Sequence, residues 1–400
     1  MAAIQQWLTI GMSGFDTPGF HDTSRLMTAH APGSRAYVEP PPPFGAWRSG
    51  SAPLFRWRSR RTHDTWILTP PLPVPSRLDV GRIALRTQAR ALDRVLREAW
   101  GNDWRTSTVL YITNWSYAQE PLVRLLRPVH LVFDLVDDVL AFPYSFDRER
   151  VLARWRRLAG QAGAVIAVSD ALRAWSAAHL GHPVHVLPNG VDAAHFQQAA
   201  PAPGLPPVPP GHVRVGFAGT MNHWIDFRAL AKVMDADPAC HLFLMGRRGH
   251  IDDPDQRSAL DALLSHPRVH ALGPVPYAAL PAHLHAMDVL VLPRIPSPAS
   301  TASSPLKLYE YLAVGRPVVT SGIPVPADVA RLVYSASPGD LTGALRQAIA
   351  EAQGDLPSLR AERRAYAQAH TWQDRVARVL ELVNHGPDRH AARAPSAPSI

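Results

Sequence analysis

Along its 400 residues the chain alternates short apolar runs, bounded by glycine or proline, with longer stretches of helical periodicity. A run too short for a helix and closed by breakers reads as a buried strand. Strands separated by helical stretches must be joined by crossovers, so the pattern predicts parallel sheets with covering helices, an α/β fold. In the first half strands are expected near 7–13, 35–40, 65–70, 108–113, 129–135, 163–169 and 183–188, and helices near 83–100, 148–161 and 170–180. The second half repeats the rhythm near 213–219, 241–246, 268–273, 288–293 and 316–321, with helices then running to about 384.

Between the two series lies "QQAAPAPGLPPVPPG", Gln197–Gly211, whose prolines suit an extended linker and neither a sheet nor a helix. The expected organisation is a first domain over 1–196, a linker over 197–211 and a second domain over 212–385, whose last helix can cross back to the first. The tail 386–400 has too little apolar content to pack and is expected to be disordered. A hydrophobic content of 46% is enough for two cores. The single cysteine, Cys240, excludes an internal disulfide and a structural thiolate metal site, and reads as a buried strand residue. The N-terminal stretch lacks a basic n-region and its apolar run is too short to span a bilayer, so a cytoplasmic location is expected.

Net charge is +8, and the first half is the more basic, with 22 Arg against 16 acids in residues 1–196. Only Lys232 and Lys307 are lysines. Lys307 lies in "SSPLKLYEYLAVGRPVV", Ser303–Val319. There Ser303 or Ser304 suits an N-cap, and Pro305 suits the first helical position. Such a helix offers its leading amides to a phosphate, and Lys307 and Glu310, three residues apart, share one face. One can neutralise a diphosphate while the other accepts hydrogen bonds from ribose hydroxyls. A plain surface Lys–Glu pair is the alternative these two residues leave open. Other candidates lie at the carboxyl ends of predicted strands, where open α/β sheets bind ligands: Gly219 and Thr220 in "VGFAGTMNHW", Arg247 in "LMGRRGH", and Val275 and Tyr277 in the loop "LGPVPYAALP".

The succession "VLPNGVDAAHF", "VGFAGTMNHW", "FLMGRRG", "LGPVPYAALP", "MDVLVLP", "SPLKLYEYLAVGRPVV" resembles the signatures of retaining-type nucleotide-sugar glycosyltransferases of the GT-B fold, of the group 1 and family 4-like kind. "AYVEPP", "WILTPPLPVP" and "LVFDLVDDVLAFP" are similar to bacterial cell-surface polysaccharide transferases of the teichuronic acid type. The resemblance implies two Rossmann-like, doubly wound parallel-sheet domains facing across a cleft, with the acceptor on the first and the nucleotide sugar on the second. It also implies that Ser304, Pro305, Leu306, Lys307 and Glu310 contact the donor, and that no metal or other cofactor is needed. The family's glutamate pair is incomplete, because its first member falls at Ala302.

For the acceptor side, "FDLVDD" supplies Asp134, Asp137 and Asp138 at a strand end. A carboxylate there can take a hydroxyl proton, and three acids closing a strand are also ordinary turn chemistry. Asp137 is the first choice and Asp138 the second. Gly14, Asp16, His21 and Arg25 share the rim after the first strand, and His21 also reads as a solvated loop residue. The run Phe44–Trp66 interleaves Arg48, Arg56, Arg58, Arg60 and Arg61 with Trp47, Phe55 and Trp57. That mixture suits the anionic inner face of the plasma membrane or a solvated loop, and no nucleic-acid module accompanies it. The function expected is sugar transfer from a nucleotide diphosphate to a lipid-linked or glycan acceptor in envelope or exopolysaccharide assembly. A sugar-nucleotide epimerase and a catalytically silent binding subunit are the rivals.

Overall fold

The computed structural model describes residues 4–17, 22–43, 56–62, 64–71, 82–142, 145–337, 340–354 and 356–385. They form two compact units, one running to Pro188 and resuming at Arg375, the other spanning Asn189–Asp374. The predicted tail 386–400 lies outside the described residues.

The first unit holds an eight-stranded sheet in the order β3-β4-β2-β1-β5-β6-β7-β8. Its strands are β1 (Gln6–Ile10), β2 (Ser34–Val38), β3 (Arg58–Thr62), β4 (Thr65–Thr69), β5 (Thr108–Thr113), β6 (His130–Leu135), β7 (Ala164–Ala167) and β8 (His185–Val186). Every pairing is parallel except β3 with β4. The antiparallel edge strand β3 corrects the reading of this Arg-rich stretch as a loop. "RSRRT" has no apolar alternation to announce a strand, but an edge strand needs only backbone pairing, and its charges block further strand addition. The chain moves outward from β1 through β2 and β4, then returns to place β5 on the other side of β1, so the winding reverses between β1 and β5.

A buried ion pair fixes the end of the chain to this sheet. Arg375, in the helix Trp372–His385, places Nη2 2.8 Å from Oδ2 of Asp134 on β6, and both side chains are almost wholly buried. Tyr111 of β5 donates its hydroxyl to the same carboxylate, and Arg375 Nε donates to the Pro188 carbonyl at 2.9 Å. Burial works against the Arg375 charge, and Asp134 and Tyr111 together more than offset it. From Arg375 on, this helix belongs to the first unit.

The second unit holds a six-stranded, all-parallel sheet, β11-β10-β9-β12-β13-β14. Its strands are β9 (Val213–Ala218), β10 (Cys240–Met245), β11 (Val269–Gly273), β12 (Val289–Pro293), β13 (Val318–Ser321) and β14 (Tyr334–Ala336). Period-two alternation sends Leu242 and Leu244 of β10 into a core with Phe227 and Leu230, and Phe243 and Met245 into a second core with Leu308 and Leu312. Helices therefore cover both faces. Cys240 is buried at the start of β10, and burial pushes its thiol up to about 12. The winding reverses between β9 and β12, the switch point at which strand-to-helix loops diverge.

Residues 189–196 and the proline-rich 197–211 segment also belong to this unit, which corrects their assignment to the first domain and to a free linker. Phe196 is fully buried in the second core, and Leu205 and Val208 pack against it. The periodicity could not show this, because isolated apolar residues among prolines carry no period.

Candidate active site

At the carboxyl edge of the second sheet the loops after β9, β10 and β12 are joined by backbone hydrogen bonds. Gly219 N–H donates to the Met245 carbonyl at 2.9 Å, Met221 N–H to Arg247 at 2.9 Å, Gly249 N–H to Met221 at 2.9 Å, and Ile295 N–H to Trp224 at 2.9 Å. The joint is tight: a Cβ on Gly246 would lie 1.9 Å from the Gly219 carbonyl oxygen. The close approach needs glycine there. Gly219 and Thr220 are thus held beside Gly246–Arg248. Arg248 pairs with Asp261 at 2.6 Å, whereas Arg247 is exposed on the edge.

The helix carrying Lys307 spans Leu306–Val314. Its N-cap position is Pro305, with no side-chain cap, which corrects the expected serine cap. Ser303 instead closes the short helix Pro298–Ala302 and donates to the Ser300 carbonyl at 2.7 Å. Ser304 is held by Asn189, whose amide donates to the Ser304 carbonyl at 2.7 Å. With both serines engaged, the first turn keeps its leading amides uncapped by side chains. Lys307 Nζ lies 2.7 Å from Glu310 Oε2, so the two residues selected from sequence do meet. Glu310 is 4% exposed, unlike a carboxylate in a plain surface pair. Ala302, at the position of the missing acid, is buried.

Two anchors were not read from sequence. Tyr311, on the same helix, accepts a hydrogen bond from the Ala218 amide at 2.8 Å, tying the helix to the end of β9. Burial raises its hydroxyl pKa well above the ordinary value. Asn189 is the second. A wholly buried tyrosine must find a polar partner, but sequence does not say which. Tyr277 stacks on His195 at 4.7 Å between ring centroids and packs with Val275 against the second core. Burial, then the charges of Glu310 and Asp192, raise its hydroxyl pKa above the ordinary value.

In the first unit the loop after β1 begins at Gly11, where a Cβ would lie 2.1 Å from the Tyr37 ring. Gly14 accepts from the Thr17 amide at 3.2 Å. Arg25 donates to the Thr17 carbonyl at 3.2 Å and lies over the Phe15 ring. Asp16 pairs with Arg60 of β3 at 2.8 Å. His21 lies outside the described residues. Asp22, not singled out by sequence, caps the helix Thr23–His30 and accepts from the Ser13 and Ser24 hydroxyls.

The three acids after β6 separate by environment. Asp134 is committed to Arg375 and Tyr111, so it is unsuited to take an acceptor proton. Asp137 is half-buried and accepts from the Trp115 indole N–H at 2.7 Å. The buried Asn114 donates to the Asp137 carbonyl at 2.7 Å and receives the Val136 amide, clamping the turn. Burial raises the Asp138 carboxyl above its usual range, more than the amides of Ala141 and Leu140 lower it. A carboxyl shifted upward by burial suits proton transfer, so Asp138 stands beside Asp137 as a candidate. Among the described residues no group of three or more His, Cys, Asp or Glu side chains is disposed to hold a metal.

The family model for glycosyl transferases group 1 matches residues 212–355, and that for glycosyltransferase family 4 matches residues 56–195. One lies in each half of a doubly wound pair. The chain belongs to the GT-B glycosyltransferases. This glycosyltransferase is 28% identical over 159 residues to the provisionally named teichuronic acid biosynthesis glycosyltransferase TuaH of Bacillus subtilis, and the alignment spans 39% of each protein. Its fold is that of sucrose-phosphate synthase from Thermosynechococcus elongatus (TM-score 0.67, 15% identity, 95% of this chain and 98% of that one). It is also that of Anabaena HepE, solved in complex with UDP-glucose (TM-score 0.61, 16% identity, 95% and 99%). At these identities the likenesses carry the fold alone.

The raised Asp138 carboxyl has a sign. Its folded pKa lies above the unfolded value, so folding takes up a proton in that window, and its contribution to stability falls as pH rises through it. Denaturant unfolding of Asp138→Asn and the parent glycosyltransferase between pH 4 and 8, a range of about this width around carboxylate values, should show the variant gaining relative stability with rising pH and then levelling. A relative loss with rising pH contradicts the assignment.

Proposed function

We propose that this chain transfers a sugar from a nucleotide diphosphate donor to an acceptor hydroxyl, the donor bound by the second unit and the acceptor by the first. The observation that carries this reading is the start of the Leu306–Val314 helix. It has uncapped amides, Lys307 in the first turn, and a Tyr311 anchor to the glycine-rich end of β9 beside the winding switch. A diphosphate placed there meets helix-start amides and a mobile cation, the arrangement that stabilises charge developing on a leaving group. Glu310, behind Lys307, suits ribose hydroxyls. Asp138 or Asp137 takes the acceptor proton. HepE was solved with UDP-glucose, which supports a nucleotide sugar as donor, and TuaH is named for teichuronic acid biosynthesis, which supports a polysaccharide acceptor; a lipid-linked precursor in cell-envelope assembly is part of the proposal.

Ala302 favours one rival, a nucleotide-sugar binding subunit without turnover. Donor consumption assayed with and without acceptor glycans, across UDP-, GDP- and dTDP-sugars, separates the readings. Transfer requires acceptor, an epimerase does not, and a silent subunit consumes nothing. Lys307→Ala should lower kcat/KM by the equivalent of about 2–4 kcal/mol with the fold intact, and Asp137→Asn or Asp138→Asn should spare donor binding while depressing transfer. Unchanged kcat/KM in folded Lys307→Ala refutes the donor site.

No helix among the described residues is long and apolar enough to cross a membrane. A lipid-linked acceptor then calls for surface attachment, and the β3 edge offers Arg56, Arg58 and Arg61, exposed beside the Arg60 that is held by Asp16 and Glu39. Trp57 donates to the Gln88 carbonyl at 3.1 Å and stays with the fold, so attachment here is electrostatic and weakens with salt. Anionic vesicles should sediment the parent and leave the Arg56→Gln, Arg58→Gln, Arg61→Gln variant in solution. Equal sedimentation of both removes the membrane role from this strand.

A further inference from the structure

The Leu306–Val314 helix closes at Gly315, whose φ of 85° is the left-handed conformation that glycine favours. This end lies about 13 Å along the axis from the end that carries Lys307. Around it is an open hollow of about 490 Å³, within the size range of small-molecule sites. Arg316, Arg360, Arg364 and His285 line it, and Ala200 and Ala202 of the proline-rich segment contribute small apolar walls. None of its described lining residues is acidic. Glu351 lines a smaller adjoining hollow together with Arg316 and Arg360, but both its oxygens accept from Arg363.

Protein carbonyls fix two of the guanidiniums. Arg316 Nη2 donates to the His285 carbonyl at 2.7 Å, and Arg364 Nε donates to the Val314 carbonyl at 3.2 Å. Burial and the neighbouring Arg360 hold Arg364 below its ordinary value. Burial also lowers His285, and the charges of Arg364, Arg316 and Arg360 push it the same way. Three guanidiniums thus converge on the hollow, close enough for the charge of Arg360 to act on Arg364. Arginine is this chain's general choice of cation, so its identity carries no weight. The convergence of three on one cavity does.

We propose that this hollow binds a small phosphorylated anion, at a site distinct from the one assigned to the nucleotide sugar. Guanidinium forks match phosphate oxygens in pairs, and three of them around a cavity with small apolar walls suit a phosphate borne on a compact body. The site stands independently of the donor reading, because it uses neither Lys307 nor Glu310.

Calorimetric titration of inorganic pyrophosphate into the full chain tests it. Binding should persist in Lys307→Ala, which weakens the proposed donor site, and in that background should fall at least about tenfold, or about 1.4 kcal/mol, when Arg360→Gln with Arg364→Gln is added. Ala200→Glu guards against a folding artefact, since it brings a carboxylate to the wall of an otherwise unaltered cluster. It should weaken binding comparably while the unfolding midpoint does not fall. Absence of binding by the parent, its loss in Lys307→Ala alone, or its undiminished persistence when the double-arginine or the Ala200→Glu change is added to Lys307→Ala overturns the site. Loss of transfer in Lys307→Ala with pyrophosphate binding retained bears on the donor reading only.

Discussion

Parallel strand pairing is the constraint from which the second unit's chemistry follows. When every strand runs the same way, every strand-to-helix loop emerges on one edge, and the reversal of winding between β9 and β12 opens that edge at its centre. The backbone bonds between the loops after β9, β10 and β12 make the edge continuous, and the bare Cα of Gly246 allows that approach. Tyr311 then sets the Leu306–Val314 helix against the end of β9, so Lys307 reaches the edge from a fixed support. Its partner, Glu310, is buried. A buried carboxylate is costly unless paired, which keeps Lys307 close to where a phosphate would take it over.

The first unit uses buried polar groups for the same purpose. Asn114 clamps the turn that carries Asp137, and Asp134 with Arg375 binds the final helix to β6. Removing one partner from such a group leaves an unsatisfied donor, acceptor or charge, so these residues fix geometry more sharply than apolar packing does. Three acids that look equivalent in "FDLVDD" therefore have three fates: a structural ion pair, an indole-bound carboxylate, and a carboxyl raised by burial.

Much of the fold was legible because apolar runs and breakers encode buried parallel strands directly. Thr108–Thr113 and the helix Ile83–Trp100 fall where the pattern put them. Strand β3 was not legible, since an edge strand of arginines has no apolar face, nor was the three-residue β14. The proline-rich segment was misread because its anchoring depends on Phe196, Leu205 and Val208 meeting a core that sequence does not display. In the site, Lys307 and Glu310 were visible through helical spacing. Tyr311, Asn189 and Asn114 were not, because their partners lie many residues away and only the fold brings them together.

The central claim is that a nucleotide diphosphate sits at the start of the Leu306–Val314 helix. The most direct measurement is a crystal structure of the chain with UDP bound. Phosphate oxygens should lie against the amides of the first turn, with Lys307 Nζ transferred from Glu310 to a phosphate and ribose hydroxyls on Glu310. UDP bound elsewhere, with the Lys307–Glu310 pair undisturbed, would contradict it.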